Sequence, residues 1–171
     1  MNPMTRTRVL LDGVLAAIVA TTVKSKAEGV LQPLAERIFP PSAPEKARRG
    51  ADPSEHLDQM PPTQLLDRAT AATGANIGDD ERTQGAAALH WSMGVGAGVV
   101  YAVLAQRWPR VRSGAGAPAG LVLYAATHAT LLPALGLQAP LQKLPQAALI
   151  WEPGSHIAYG VALDSALRAL A

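Results

Sequence analysis

Residues 149–170 read LIWEPGSHIAYGVALDSALRAL, and the fold follows from how that stretch is read. As a helix it is long enough to cross a bilayer, because about 20 residues at 1.5 Å each span a hydrocarbon core of about 30 Å. Yet it carries Glu152 and His156. Four residues apart on a helix, the two side chains stack on one face, with Ser155 and Tyr159 beside them. An ionisable group in lipid costs roughly 2.5 kcal/mol or more on insertion scales, so such groups face the protein interior. The stretch predicts a membrane helix whose polar face needs neighbours to cover it.

Three further stretches supply those neighbours. Residues 9–30 follow Arg6 and Arg8 and hold no proline, and the stretch is read as one long helix to Phe39-Pro40-Pro41. Asp12 interrupts the apolar region and no small-x-small site follows, so this stretch is read as a retained span and not as a signal peptide. Residues 86–108 and 117–137 have the length of transmembrane helices. Pro133 is expected to kink the latter, with Thr130 or a neighbouring helix taking up the freed backbone groups. The resulting expectation is all-α: a single membrane domain over 1–171, with four transmembrane helices at about 9–30, 86–108, 117–137 and 145–169. A polar external segment over 40–85 joins the first two, with a short amphipathic helix starting at Pro62-Thr63 and stopping at Gly74.

Charge placement orients the bundle. Arg6, Arg8, Arg107, Arg110, Arg112 and Arg168 all fall on one side of four spans. By the positive-inside rule both termini are then cytoplasmic, and Trp91, Trp108 and Trp151 sit near span ends, where amphipathic rings prefer the interface. Across the chain, 15 Lys and Arg are mixed with 13 Asp and Glu, which makes no basic stripe for nucleic acid. The lipid bilayer is the expected partner. The absence of cysteine removes thiolate metal sites and cysteine nucleophiles. No serine sits in a nucleophile-elbow setting and Ser113-Gly114-Ala115-Gly116 is a short turn, not a phosphate loop. The expectation is that the chain is not an enzyme.

Depth along the spans collects the candidate site. Counted from the outer ends, His90, His128, Glu152 and His156 share the outer half, so one polar cluster open toward the outside is expected. Glu152 and His156 are read as a hydrogen-bonded pair joined by His128, with His90 nearer the outside. Three uses compete for these residues: interhelical hydrogen bonding, response to protons, and a divalent metal or haem site. Lys24 and Glu28, again four apart, read as an ion pair capping the outer end of the first span. On the second span His90, Gly94, Gly98 and Ala102 recur every four residues. Gly94-x-x-x-Gly98 is the small-residue pattern for close helix packing, either within one chain or between two copies. Asp12 and Asp164 are expected to reach cytoplasmic water or each other.

Several of these motifs occur in a fixed order: Lys24-x-x-x-Glu28 before a proline-rich exit, then His90 with Tyr101 and Pro109. Gly116-x-x-Ala119-Gly120 follows with His128, Pro133, Gly136-Leu137 and Pro140, and last Leu144-Pro145 with Glu152-x-x-x-His156. In this the chain resembles the YagU-like family of small bacterial inner-membrane proteins, a domain-of-unknown-function family associated with acid-stress tolerance. The external segment departs from that pattern in being shorter, more polar and poor in aromatics. The resemblance implies a multi-pass protein of the bacterial inner membrane that contributes to acid tolerance, with the His/Glu cluster responding to protons or passing a small ion. The rival expectations are a metal- or haem-binding membrane protein and a structural accessory subunit of a larger membrane complex.

Overall fold

The computed structural model of the chain describes residues 3–53 and 55–171. In order the helices are α1 (Pro3–Ile38), α2 (Ala43–Lys46), α3 (Pro61–Thr73), α4 (Asp79–Arg107), α5 (Ala117–Ala126), α6 (Leu132–Ala134) and α7 (Ala148–Leu170), and no strand occurs among the described residues. The short α3 stops where the sequence predicts, with Gly74 in the left-handed conformation at φ 70° that suits a residue without a Cβ.

Two boundaries differ from the sequence expectation. The second long helix begins at Asp79 and not at residue 86, and its first turn holds Asp79, Asp80 and Glu81. Carboxylates there complement the positive end of the helix dipole, and Glu81 accepts a 2.9 Å hydrogen bond from the Gly78 N–H, so the polar stretch is helical before it becomes apolar. The third span ends at Ala134 and not at residue 137, because of Pro133. A proline removes an N–H and crowds the carbonyl one turn back; here the chain widens into a π-helical turn over Thr127–Leu131 before resuming as α6. Thr130 Oγ1 donates to the Ala125 carbonyl at 2.9 Å, which occupies an acceptor that the wider turn frees. Gly136, at φ 63°, closes the helix with Leu137 N–H bonded to the Leu132 carbonyl at 2.8 Å.

The four long segments pack in the order α4, α1, α7, α5, so α4 and α5, consecutive in the chain, do not pack against each other. Small residues set this order. On the α1–α4 seam, Gly13 faces Ala102, Ala17 faces Gly98 and Thr21 faces Gly94, an antiparallel register in which a Cβ on Gly94 or Gly98 would collide with the facing side chain. On the other side of α7 the approach is backbone to backbone. A Cβ on Gly120 would strike the His156 carbonyl, and one on Gly116 the Gly160 carbonyl. Where helices share an apolar surrounding, this close van der Waals contact is what holds them together.

Two segments, Asp79–Arg107 and Pro109–Ala134, are long and apolar enough to cross a membrane, and only 17% of each apolar window is buried. Their apolar side chains therefore point mostly outward, the reverse of a core helix in a soluble protein. Helices α1 and α7 also expose Leu11, Leu15, Ile150 and Val161, but they carry polar inward faces that lower their hydropathy. In α7 that face includes Glu152, Ser155, His156, Tyr159 and Asp164, all buried.

This packing makes opposite expectations for two glycines. Gly120→Ala places a methyl on the His156 carbonyl and is expected to destabilise by about 1–3 kcal/mol, as overpacking does. Gly96→Ala meets nothing within 4 Å and is expected to be neutral or to stabilise by about 0.5–1 kcal/mol through helix propensity. Thermal unfolding of both variants in detergent checks the pair; equal melting temperatures would contradict the backbone contact.

Candidate functional site

At the end of the bundle nearest α3, α1, α4, α5 and α7 line a cavity of 420 Å³, bounded there by chain from Leu57 to Thr63. The segment between α1 and α4, which caps this end of the bundle, is thus no loose connection. Lys46 holds three carboxylates, Glu36 at 3.2 Å, Asp52 at 3.1 Å and Glu55 at 3.0 Å; hydrogen bonding to Glu55 foremost raises the lysine's affinity for its proton. Arg82 grips Asp67 with two 2.7 Å bonds, which joins α3 to α4 and lowers the Asp67 carboxyl below its usual range. Arg68 donates to the carbonyls of Leu135 and Gly136 at 2.8 and 3.2 Å, and Arg49 to that of Gly136 at 2.5 Å. Cations on the last carbonyls of a helix suit its negative end, and here they tie the cap to α6.

Inside the cavity, the titratable residues singled out in the sequence come from different helices. Lys24 and Glu28 form an ion pair on α1, but Lys24 is buried and the pair lines the cavity; it does not cap a helix at the surface. From the π-helical turn after α5 comes His128, whose ring stacks on Tyr124 and meets His156 edge-on with centroids 4.9 Å apart. Its Nδ1 lies 2.8 Å from Gln138 Oε1 and 3.5 Å from Glu152 Oε2. Gln138 Nε2 in turn lies 3.3 Å from both Glu152 oxygens. His90 faces the same cavity from α4, where its neighbours in charge are Lys24 and Glu28.

One expected contact is replaced by another. The Glu152 and His156 side chains do not bond to each other: His156 Nδ1 lies 2.8 Å from the main-chain carbonyl of Glu152. One turn back on a helix, that carbonyl is within closer reach of the ring than the carboxylate, which leans toward Gln138. A carbonyl only accepts, so His156 carries its proton on Nδ1 and its lone pair on Nε2. Gln138 presents its NH₂ to the carboxylate and its oxygen to His128, which sets the same tautomer there. Among the described residues no three His, Asp or Glu side chains are grouped so as to hold a metal ion.

A second polar centre lies at the other end of α7. Asp164 is 0% exposed and accepts from Arg112 Nε at 2.6 Å, Arg168 Nε at 2.8 Å and Tyr101 OH at 3.1 Å. It reaches neither water nor Asp12, which instead lies 3.6 Å from Arg8. The partner Arg168 was readable as a four-residue pair. Gln138, Arg112 and Tyr101 were not, because loop and helix residues far apart in sequence carry no spacing signal toward their partners.

If Gln138 connects His128 to Glu152, Gln138→Ala strands a buried donor and a buried carboxylate and is expected to cost about 1–3 kcal/mol. Gln142→Ala, on an exposed residue, serves as the control. Thermal unfolding that falls equally little in both would contradict the connecting role.

Neither the curated proteins nor the solved structures contain a match to this chain. Residues 18–165 match a family described as protein of unknown function, DUF1440, a range that takes in α4, α5, most of α1 and α7, the segment between α1 and α4, and every residue of the cavity cluster. The chain belongs to the DUF1440 family.

Proposed function

We propose that this protein is a four-span component of the bacterial inner membrane, of the YagU-like type, whose His/Glu cluster takes up protons or passes a small ion and so contributes to acid tolerance. It performs no catalysis in this reading. The observation that carries it is the chain from His128 through Gln138 to Glu152 on the wall of a cavity. Imidazole and carboxylate are both proton-binding groups, and here one amide joins them. A protein that needed these groups only for packing would not be expected to keep a 420 Å³ space beside them.

Membrane placement draws support from the outward apolar faces of all four long helices and from Arg8, Arg112 and Arg168, which gather at one end around Asp164 and the last residues of α7. The external segment also carries cations, Lys46, Arg48, Arg49, Arg68 and Arg82, although Asp and Glu outnumber them there. Those charges are occupied by carboxylates or carbonyls of the cap and its underlying helices, which removes their preference for the cytoplasmic side.

Two experiments test this reading. With a cysteine introduced singly at Asn76 or Ser113, an impermeant maleimide applied to intact spheroplasts is expected to label Asn76→Cys at once and Ser113→Cys only after lysis; the reverse pattern would overturn the orientation. In cells whose acid survival depends on the protein, Glu152→Gln and His128→Ala are expected to lower survival to the level of cells lacking it. Lys26→Ala, on an exposed residue, should leave survival unchanged. Survival of Glu152→Gln cells equal to wild type would remove the cluster from the function.

A further inference from the structure

The bundle has a second cavity, at the end opposite the cap. It measures 310 Å³ and lies between the start of α1, the last turns of α4 and α7, and the turn that joins α4 to α5. Its polar lining is Arg8, Asp12, Gln106 and Arg112, and the rest of its wall is small or apolar, with Val9, Ala105 and Leu167.

Two arginines from different elements reach this space with donors to spare. Arg112 gives its Nε to the Asp164 carboxylate at 2.6 Å and its Nη2 to the Asp164 carbonyl at 3.3 Å. Arg8 gives its Nη2 to the Leu170 carbonyl at 3.1 Å, and its Nε stands 3.6 Å from Asp12, beyond hydrogen-bond length. A guanidinium carries five N–H donors, and the Nη1 of both residues has no partner among the described residues. The side chain of Arg8 is 64% exposed and stands at the mouth, whereas that of Arg112 is 26% exposed and lies farther in. A cation that only orients a membrane protein needs to stand in water. Arg112 is instead turned inward and fixed by Asp164, so its orientation is set before a ligand arrives, which lowers the cost of binding.

Charge at this end is unbalanced. Six arginines, Arg6, Arg8, Arg107, Arg110, Arg112 and Arg168, meet two aspartates, Asp12 and Asp164. The C-terminal ends of α4 and α7 add about half a negative charge each, and the excess stays positive. An anion restores the balance. Planar guanidinium forks match the paired oxygens of a phosphate, the Gln106 carboxamide supplies a further donor, and the apolar wall suits the organic part of an ester. The volume of 310 Å³ falls in the range of about 300–1,000 Å³ typical of small-molecule sites.

We propose that this cavity binds the phosphate of an anionic phosphate ester, held between Arg8 and Arg112 with Gln106 as a third donor. The ester is a phospholipid headgroup or a soluble molecule, and the two arms of the experiment separate these sources. In the membrane placement proposed above, the cavity lies at headgroup level on the cytoplasmic side, where basic pockets between helices take anionic lipids; the phosphate site itself needs neither that placement nor the His/Glu cluster. The full chain in detergent, washed free of lipid, is titrated with dioctanoyl phosphatidylglycerol in one arm and glycerol 1-phosphate in the other, and the melting temperature is followed. Dioctanoyl phosphatidylcholine, which has no net charge, and sodium chloride at matched ionic strength are the controls. A saturable rise that both controls lack is expected. A rise in the first arm alone assigns the site to lipid, and a rise in the second arm assigns it to a soluble ester. Arg8→Gln and Gln106→Glu are each expected to raise the half-saturating concentration at least about tenfold, as the loss of a charge-assisted bond or a facing negative charge implies. Arg6→Gln removes a cation from the same end but not from the cavity and is expected to leave binding unchanged. No saturable rise in either arm, a rise matched by either control, wild-type binding in both Arg8→Gln and Gln106→Glu, or equal weakening by Arg6→Gln would overturn the proposal. Reversed maleimide labelling together with phosphate binding would discard the membrane orientation and keep the site, so the two fail separately.

Discussion

A helix that carries Glu152, Ser155, His156 and Asp164 on its buried face must be enclosed along its length, and the rest of the bundle is arranged to enclose α7. On one flank this takes the form of direct backbone contact, with Gly116 and Gly120 against Gly160 and the His156 carbonyl. On the other flank α1 lies along α7 and is itself backed by α4 through Gly94, Gly98 and Gly13. The polar groups are then divided between two ends. Toward the C-terminal end of α7, Asp164 accepts from two arginines and a tyrosine. Toward its N-terminal end the carboxylate of Glu152 has an amide and an imidazole as neighbours and an open space next to them.

That contrast separates structure from function in the same helix. Buried carboxylates met by several donors serve to fix register and orientation, and the Asp164 network does this by holding the turn between α4 and α5 onto α7. Groups left with unused lone pairs beside a cavity have capacity to bind something. The cap strengthens the distinction. Its arginines close the end of α6 and its lysine gathers three carboxylates, so the mouth of the cavity is covered by a segment with its own polar connections.

Much of the architecture was legible in the sequence because long apolar runs and helix breakers act locally. The long helices, the stop of α3 at Gly74 and the disturbance at Pro133 follow from local rules of span length, glycine and proline. The four-residue spacing of Glu152 and His156 correctly put both on one face. What local rules do not carry is which segments pack. Consecutive α4 and α5 stand apart, and the order α4, α1, α7, α5 is decided by where small residues meet. The direction of a side chain is equally hidden: the His156 ring turned to a carbonyl on its own helix, and Gln138, from the turn after α6, took the carboxylate.

Cross-linking in native membranes tests the packing order most directly, the wild-type chain being free of cysteine. Gly13 and Ala102 lie across the α1–α4 seam, with a Cβ on Gly13 only 3.0 Å from that of Ala102, whereas Ala97 and Thr127 line opposite sides of the cleft between α4 and α5. With cysteines introduced pairwise, mild oxidation is expected to join Gly13→Cys to Ala102→Cys, while Ala97→Cys and Thr127→Cys join only through a long bifunctional reagent. Direct disulfide formation between Ala97→Cys and Thr127→Cys, with none between the first pair, would mean that α4 packs on α5, closing the cleft and contradicting the arrangement on which the cavity depends.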